Sequence, residues 1–267
     1  MPGKDQSFQA PSIDCLHSLA SPPKLRVTIR AVEKGDPLAQ LPKITFLDPQ
    51  IMQKIWGGQR LSKIGKGKQA NIGETWEVSD HPDGPALFNG QALSQILPNP
   101  LSYLVKLIDT SDNLSVQVHP HEEYAKEHEN SHGKTECWVI LDADPGAGIY
   151  LGLKEGCNKA SFEEALKTGC EMDKFLNFYP VSAGDFFFVA AGTIHAIGKG
   201  VFLAEVQQNS GVTYRVWDWN RLDDQGNSRE LHIQKAMDVI NFESAFNKKE
   251  NFDFKQNLFR QQGKIEL

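Results

Sequence analysis

A short segment of the sequence places polar side chains at a spacing that suits metal binding. Ser115, Gln117 and His119 alternate with two valines. Because successive side chains of a strand point to opposite faces, the three polar side chains share one face if this segment is a strand. If neighbouring elements cover both faces, that polar face needs hydrogen-bond partners or a metal ion.

Two other segments supply further candidate ligands. Lys134 and Glu136 share a face where the segment GKTECW begins a strand. An apolar strand ends in a glycine-containing turn that presents His195. The candidate set of two imidazoles, one carboxylate and one amide oxygen is His119, His195, Glu136 and Gln117. This set suits a borderline divalent ion such as Zn²⁺ in an open site, where it would act as a Lewis acid.

Spacing alone leaves a second interpretation open, because isolated histidines are usually structural or exposed. Three more histidines, His121, His128 and His132, lie in a charged segment and are expected to be exposed bystanders. Glu205 and Arg215, on two further strand-like segments, complete the candidate residues.

Short β-rich segments must position these side chains. Strands are predicted at 103–108, 114–118, 136–141, 185–189, 201–206 and 213–217, where β-branched and aromatic residues are enriched between turn residues. A helical period is seen at 122–129, 162–166 and 230–240, and Ser161 with Glu164 predicts a capping box for the second helix. Many short strands at this spacing predict an all-β antiparallel barrel or sandwich.

Composition restricts the class of protein. The 267 residues allow one large domain or two small ones, and 28 Lys and Arg against 34 Asp and Glu give a net charge of −6, so no nucleic-acid partner is expected. No apolar run reaches the roughly 18 residues of a membrane span, so no membrane partner is expected. The N-terminus lacks the apolar core of a signal peptide, and the four cysteines are far apart. These features predict a cytoplasmic protein with free thiols.

Several segments closely resemble type I mannose-6-phosphate isomerases, which are zinc enzymes of the cupin superfamily. They are LSVQVHP at 114–120, GKTECWVIL at 133–141, AGTIHAIGKG at 191–200, LAEVQQNSGVTYRVWDW at 203–219 and RELHIQKAMDVI at 229–240. The similarity is nearest to the short bacterial form and extends from about 44 to 240. It implies a cupin barrel, jelly-roll-like with a few peripheral helices, and it favours the metal site over the structural histidines.

The resemblance also implies a role for each matching residue. It assigns one Zn²⁺ per chain to Gln117, His119, Glu136 and His195. It assigns catalysis to Arg215, with Glu205 and Lys134 as candidate proton carriers. It assigns binding of the substrate phosphate to Ser115 and Lys106, and a further basic substrate-binding position to Arg221.

The implied activity is interconversion of mannose 6-phosphate and fructose 6-phosphate through a cis-enediol or enediolate, with a sugar phosphate as the partner molecule and a monomer or homodimer as the assembly. Three alternatives stay open: an isomerase of another sugar or sugar phosphate, a non-catalytic sugar-binding cupin, and an Fe(II) oxygenase. The glutamine among the ligands argues against the oxygenase.

The implied domain organisation has three parts: a partly mobile N-terminal extension at 1–43, a metal-binding catalytic cupin domain at 44–245 and a short tail at 246–267. The sequence departs from the family pattern at Ala190, where proline is usual, and at Gly211, where aspartate is frequent. Ala190 is expected to loosen the turn before His195. Family members usually continue into a further β-rich region, so a second subunit or the extension is expected to cover one side of the barrel.

Overall fold

The computed structural model describes residues 26–27, 45–222 and 225–252. Apart from a short strand at Arg26–Val27, the predicted extension at 1–43 lies outside the described residues. The predicted tail lies outside them from residue 253 onward. The division of the chain into extension, catalytic domain and tail therefore stays a prediction.

The described residues form fifteen strands and four α-helices. The strands are β1 (Arg26–Val27), β2 (Thr45–Phe46), β3 (Gln50–Gly58), β4 (Ile72–Val78), β5 (Leu87–Phe88), β6 (Gln91–Ala92), β7 (Tyr103–Asp109), β8 (Val116–Val118), β9 (Glu136–Ala143), β10 (Gly148–Leu153), β11 (Leu176–Pro180), β12 (Phe186–Val189), β13 (His195–Ile197), β14 (Val201–Gln208) and β15 (Tyr214–Trp217). The helices are α1 (Arg60–Lys63), α2 (Glu122–Glu129), α3 (Lys159–Lys167) and α4 (Ile233–Val239), and 3₁₀ turns lie at Leu93–Gln95, Met172–Phe175 and Lys249–Asn251.

Two antiparallel sheets form the body of the protein. The larger has the strand order β12-β9-β14-β7-β4-β3, and the smaller has the order β11-β10-β13-β8-β15. Trp138 and Leu203 of the larger sheet belong to the same buried apolar cluster as Ile149 and Ile197 of the smaller sheet. The two sheets therefore face each other across a shared core, and the predicted all-β architecture is confirmed.

Helices α3 and α4 cover the outer face of the smaller sheet. Val116 and Val118 of β8 pack in one cluster with Phe162 of α3 and Met237 of α4. Because side chains alternate along a strand, burial of these valines under the helices turns the side chain of Gln117 toward the space between the sheets. The apolar positions of β8 thus determine where its polar positions point.

The predicted elements are confirmed within a few residues, with two corrections. The predicted capping box of Ser161 with Glu164 is wrong, because α3 begins earlier: Asn158 is its N-cap, its side chain accepts from the Ser161 N–H at 3.0 Å, and Ser161 Oγ accepts from the Asn158 N–H at 3.1 Å. The third helix begins at Ile233, not at residue 230, because the chain before it runs beside β15, where the His232 N–H donates to the Arg215 carbonyl at 2.7 Å.

Within the part of the chain that the structure describes, no helix combines the length and apolar character needed to cross a lipid bilayer.

Candidate metal centre and substrate cavity

The smaller sheet places Gln117 between two other predicted site residues. In the strand register, Gln117 of β8 pairs with His195 of β13 on one side and with Arg215 of β15 on the other. Ser115 and Gln117 both line the cavity between the sheets. The three neighbouring strands therefore present an amide, an imidazole and a guanidinium in one row across the sheet.

The turn before His195 connects the two predicted histidine ligands. The Thr193 N–H donates to the Ala190 carbonyl at 3.0 Å, and the Gly192 N–H donates to the His119 carbonyl at 2.9 Å. Gly192 has a φ of +85°, which glycine adopts without strain. The turn is therefore closed with alanine at position 190, and it brings the two imidazole rings to 4.9 Å between centroids.

Glu136 approaches the two histidines from the larger sheet. The Lys134 N–H donates to the Pro120 carbonyl at 3.1 Å, which holds the start of β9 beside His119. The Oε1 atom of Glu136 lies 3.1 Å from Nε2 of His119, and its Oε2 atom lies 3.9 Å from Nε2 of His195. One ligand atom from each of the three residues falls within 4.8 Å of the others, and all three side chains are buried.

The hydrogen bonds of the two imidazoles identify their tautomers. Nδ1 of His119 lies 3.0 Å from the Val212 carbonyl oxygen, and Nδ1 of His195 lies 2.9 Å from the Thr193 carbonyl oxygen. A carbonyl oxygen only accepts, so each Nδ1 carries the proton and each Nε2 carries a lone pair. Both lone pairs face Glu136, whose Oε2 has no hydrogen-bond donor, and neither has Nε2 of His119.

The protonation states suit metal binding. Burial and the charge of Lys134 lower the pKa of His119 to about 3, and burial likewise lowers the pKa of His195. Burial opposes ionisation of Glu136, but positive charge beside it, that of Lys134 included, more than offsets burial and holds the pKa of this carboxyl well below its usual range. At neutral pH the cluster therefore has two neutral imidazoles and one carboxylate, the forms in which these side chains bind metals.

The amide of Gln117 completes the cluster. Its Nε2 atom lies 3.3 Å from Nε2 of His195, and its Oε1 atom lies 3.5 Å from Oγ of Ser115. A 180° rotation of the amide exchanges the two atoms and turns its oxygen toward the imidazole. Nε2 of His119 and Oε2 of Glu136 are buried acceptors without a donor among the residues that the structure describes, which favours a cation beside them, and imidazole, carboxylate and amide ligands fit a borderline divalent ion. The name "metal cluster" is used below for Gln117, His119, Glu136 and His195.

The metal cluster opens into a cavity of about 320 Å³ between the two sheets. The predicted site residues that line this cavity are Lys106, Ser115, Gln117, Lys134, Glu136, Glu205 and Arg215. His119 and His195 lie behind Glu136, where each is only 1% exposed. The structure thus brings nine of the ten predicted site residues together.

A second group of buried charges occupies the larger sheet. It is called the lysine–glutamate network below and consists of Glu74, Lys106, Lys134 and Glu205. The Nζ of Lys106 lies 3.1 Å from Oε1 of Glu205 and 3.9 Å from Oε2 of Glu74. The indole N–H of Trp138 donates to Oε2 of Glu205 at 2.9 Å. The charges of this network are therefore compensated by one another.

The network shifts two pKa values toward neutrality. Burial and the charge of Glu136 raise the pKa of Glu205 to about 6, although Lys106 opposes the shift. Burial and the charge of Lys106 lower the pKa of Lys134, although the carboxylate of Glu136, 3.3 Å away, opposes the shift. Groups whose pKa values approach the working pH are suited to proton transfer.

Arg221 and Arg229 lie in different places relative to the cavity. The structure does not bring Arg221 into the cavity, because its guanidinium donates to the Asn113 carbonyl at 2.5 Å and to Asp112 and Asp218. Arg229 lines the cavity instead and is held by the same Asp218. The cavity wall thus holds Arg229, whereas Arg221, the basic position that the resemblance implied, lies outside it.

The sequence reasoning also missed Lys54 and Glu74, which line the cavity 3.4 Å apart. The available signal was the alternation in ETWEV, which places Glu74 and Trp76 on one face of β4. Trp76 donates its indole N–H to Glu74 at 2.7 Å, and its ring lies 5.0 Å from Nζ of Lys106. His121, His128 and His132 are exposed, as predicted.

Sequence comparison relates this chain to named proteins. No model of a known protein family matches the chain. It is 42% identical over 217 residues to the mannose-6-phosphate isomerase of Streptococcus mutans and 39% identical over 216 residues to the mannose-6-phosphate isomerase ManA of Bacillus subtilis. Each match covers 73% of this chain and 67% of the relative. The chain belongs to the mannose-6-phosphate isomerase family.

A solved structure of a mannose-6-phosphate isomerase supports the same conclusion. The crystal structure of the Bacillus subtilis enzyme superposes with a TM-score of 0.68 at 35% identity, covering 74% of this chain and 68% of that one. The predicted cupin fold is therefore confirmed, as is the resemblance to the short type I form. Membership of the mannose-6-phosphate isomerase family places the metal cluster and the cavity in an isomerase scaffold.

Proposed function

We propose that this chain is a zinc-dependent isomerase that interconverts mannose 6-phosphate and fructose 6-phosphate through a cis-enediolate. The observation that carries this proposal is the convergence of unpartnered acceptor atoms of His119 and Glu136 at the wall of a cavity that also holds Arg215. The relatives named mannose-6-phosphate isomerase support the choice of substrate.

The metal cluster is proposed to hold one Zn²⁺ per chain. The hydrogen bonds from the two Nδ1 atoms to backbone carbonyls orient the imidazoles, as outer partners of metal-bound histidines commonly do. The neutral amide of Gln117, in place of a second carboxylate, leaves the site more positive. When bound, the ion supplies a Lewis acid that polarises a sugar oxygen.

Proton transfer between C1 and C2 is proposed for the lysine–glutamate network. Above its pKa of about 6, Glu205 is a carboxylate that can accept the C2 proton of the aldose and return it to C1. Lys134, with its lowered pKa, can donate a proton to O1 as that oxygen gains charge and take one from the O2 hydroxyl as the C2 carbonyl of the ketose forms. Both side chains end the cycle in the protonation states in which they began it, as isomerisation requires.

Arg215 is proposed to stabilise the enediolate. It lines the cavity beside Gln117, it is always cationic, and its Nη1 donates to the Glu230 carbonyl at 2.7 Å, while its buried Nε has no partner among the described residues. A fixed guanidinium in a partly dehydrated site stabilises developing negative charge more strongly than water does.

Phosphate binding is proposed for Ser115 and Lys106, which both line the cavity. Lys106 contributes a positive charge, and its Nζ is held 3.1 Å from Oε1 of Glu205 and 3.9 Å from Oε2 of Glu74. Ser115 contributes a hydroxyl donor without a charge. The assembly is proposed to be a monomer or a homodimer.

Turnover of mannose 6-phosphate by the purified protein, with and without added Zn²⁺, tests the proposal. We expect turnover that requires the metal and is abolished in His195→Ala, while His128→Ala, an exposed histidine, keeps it. A folded, zinc-loaded protein without turnover would contradict the proposal. A sugar panel, a sugar-binding assay and oxygen uptake would then separate another isomerase, a non-catalytic cupin and an oxygenase.

A further inference from the structure

The chain between β8 and β9 connects two residues of the metal cluster that belong to different sheets. His119 directly follows β8 of the smaller sheet, and Glu136 begins β9 of the larger sheet. Residues 120–135 between them contain α2 and are called the connecting loop below. The two ends of this loop lie side by side, so its closure helps to determine how far Glu136 lies from His119.

Glu122, in the first turn of α2, links the two ends of the connecting loop. Its Oε2 atom accepts from the Gly133 N–H at 2.8 Å. The next N–H along the chain, that of Lys134, donates to the Pro120 carbonyl at 3.1 Å. Gly133 is buried, so its N–H would be left without an acceptor and away from water if the carboxylate of Glu122 were removed.

The backbone at Gly133 lies directly against the start of α2. A Cβ atom at this position would lie 2.6 Å from the backbone nitrogen of Glu122 and 2.9 Å from the carbonyl carbon of His121. Both are backbone atoms that cannot move aside as a flexible side chain can, so the close approach requires glycine. The bond from Gly133 to Glu122 therefore holds the chain that leads into β9 tightly against α2.

Glu122 also pairs with two cations, and their exposure indicates which of its contacts matters. Its Oε1 atom lies 3.0 Å from Nδ1 of His132 and 3.1 Å from Nζ of Lys126. These two side chains are 68% and 63% exposed, and water screens such pairs, so they contribute little. The contact of Glu122 that can influence the metal cluster is therefore the bond from the buried Gly133 N–H.

We propose that Glu122 is a positioning residue for the metal centre, which fixes Glu136 relative to His119 by accepting from the Gly133 N–H. Glu122 does not itself bind the ion. The proposal rests on the proposed function, because it concerns ligands of the proposed Zn²⁺, but it does not depend on which sugar is the substrate. Removing a hydrogen-bonding group behind metal ligands typically lowers metal affinity about 10-fold to 100-fold.

The zinc affinity of Glu122→Ala, compared with its matched control Glu123→Ala, tests this proposal. Both variants remove a carboxylate from the first turn of α2, so their effects on the helix dipole are matched, but the side chain of Glu123 is 85% exposed and contacts the exposed His121. Competition with a chelator is expected to show a zinc Kd raised about 10-fold to 100-fold in Glu122→Ala and by less than about threefold in Glu123→Ala.

The conservative variant Glu122→Gln keeps an oxygen that can accept from the Gly133 N–H, and its zinc Kd is expected to stay within about threefold of the wild-type value. An unchanged zinc Kd in Glu122→Ala, or an equal rise in Glu122→Ala and Glu123→Ala, would overturn the proposal. If Glu122→Ala does not fold, Gly133→Ala replaces it, because its Cβ atom would push the two ends of the loop apart. An unchanged zinc Kd in that variant also overturns the proposal.

Visible absorption of the Co²⁺-loaded protein separates positioning from a general loss of stability, because the absorption bands of Co²⁺ depend on the arrangement of its ligands. We expect altered bands in Glu122→Ala and wild-type bands in Glu122→Gln and Glu123→Ala. Wild-type bands in Glu122→Ala would show that Glu122 stabilises α2 without positioning the ligands, and would overturn the proposal.

Turnover of mannose 6-phosphate, measured in the same samples, distinguishes failure of this proposal from failure of the proposed function. Weakened zinc binding in Glu122→Ala supports the positioning role even if the wild-type protein does not turn over mannose 6-phosphate. Unchanged zinc binding in Glu122→Ala overturns the role even if wild-type turnover is confirmed. A folded wild-type protein that binds no zinc overturns both.

Discussion

The metal cluster and the lysine–glutamate network lie at similar depth in one cavity, yet they balance their charges differently. In the network, Lys106 compensates Glu205 at 3.1 Å, and Trp138 donates to the same carboxylate. In the metal cluster, Nε2 of His119 faces Oε1 of Glu136 at 3.1 Å, and both atoms are acceptors. The network holds its own cations, whereas the cluster has only Lys134 of the network, 3.3 Å from Oε1 of Glu136, and leaves Nε2 of His119 and Oε2 of Glu136 without a hydrogen-bond partner within the described part of the chain.

This difference shows how burial can be used to recognise a metal site. Buried polar groups are costly unless they are hydrogen-bonded or paired. The network satisfies this condition with side chains that the structure shows. The cluster satisfies it only when a cation occupies the point where its lone pairs converge. The unpartnered buried atoms of the cluster therefore predict that a cation binds there.

The largest expected effect comes from removing the anionic ligand. Glu136→Gln is expected to lower bound zinc from about one per chain to below about a tenth, and kcat/KM by at least about 1,000-fold, because the site loses the carboxylate that balances the metal charge. Metal analysis and turnover of mannose 6-phosphate measure both. Glu74→Gln, a matched change in the network, is expected to keep its zinc. If Glu136→Gln retains its zinc, the metal cluster does not differ from the lysine–glutamate network in its need for a metal ion.

Breaking the lysine–glutamate network is expected to lower the free energy of unfolding more than it affects metal binding. Lys106→Met leaves Glu205 buried without the cation at 3.1 Å, while Glu74 keeps Lys54 at 3.4 Å, and the variant is expected to lower the free energy of unfolding by about 3 kcal/mol at pH 8. Glu205 has a raised pKa of about 6 in the folded protein. As the pH falls through that value, the folded protein gains a proton before the unfolded chain does, so the loss is expected to shrink at pH 5.5.

Urea unfolding at the two pH values measures this change. The double variant Lys106→Met with Glu205→Gln, which also removes the facing charge, is the control and is expected to lose less than the single variant at pH 8. A loss in Lys106→Met that is the same at pH 8 and pH 5.5 would contradict the pairing of Lys106 with Glu205.

The catalytic contribution of the network is expected to appear in the pH profile. Below pH 6 the wild-type kcat is expected to fall about tenfold per pH unit, because Glu205 becomes protonated and no longer accepts a proton. Glu205→Gln is expected to lower kcat about 100-fold and to lose this acid limb. Glu74→Gln is expected to keep it. An acid limb that persists in Glu205→Gln would transfer the role of base to another residue.

The smallest effect is expected at the exposed histidines. His128→Ala on α2 is expected to leave the zinc content unchanged and to alter the free energy of unfolding by less than about 0.5 kcal/mol, because the side chain is exposed to solvent. Metal analysis and urea unfolding check this result. A loss of zinc comparable to that of His195→Ala would show that burial does not separate ligands from bystanders in this chain.

The alternation of polar and apolar residues was sufficient to predict the orientation of β8. Val116 and Val118 pack under the helices, and Gln117 therefore faces the cavity, as the period of two requires. The tautomers of the histidines could not be predicted in this way. They depend on carbonyl groups of Val212 and Thr193, which only the folded chain places against the imidazoles.

The arginines show where sequence patterns fail. Arg229 lies in a motif with a helical period, but the helix begins only at Ile233, because the segment before it pairs with the edge strand β15. The segment that contains Arg229 is not helical, and Arg229 lines the cavity. Arg221, nearer in sequence to Arg215, is held by carboxylates and a carbonyl outside the cavity. Tertiary contacts determine where both arginines lie, and the spacing of apolar residues along the sequence does not predict such contacts.

Stepwise addition of zinc to metal-free wild-type protein, with turnover of mannose 6-phosphate followed in the same samples, tests the central claim most directly. We predict that turnover rises in proportion to added zinc and saturates at about one ion per chain, and that His195→Ala shows neither tight binding nor turnover. A folded metal-free protein that turns over mannose 6-phosphate at the full rate, or that binds no zinc, would contradict the claim that the metal cluster is the catalytic centre.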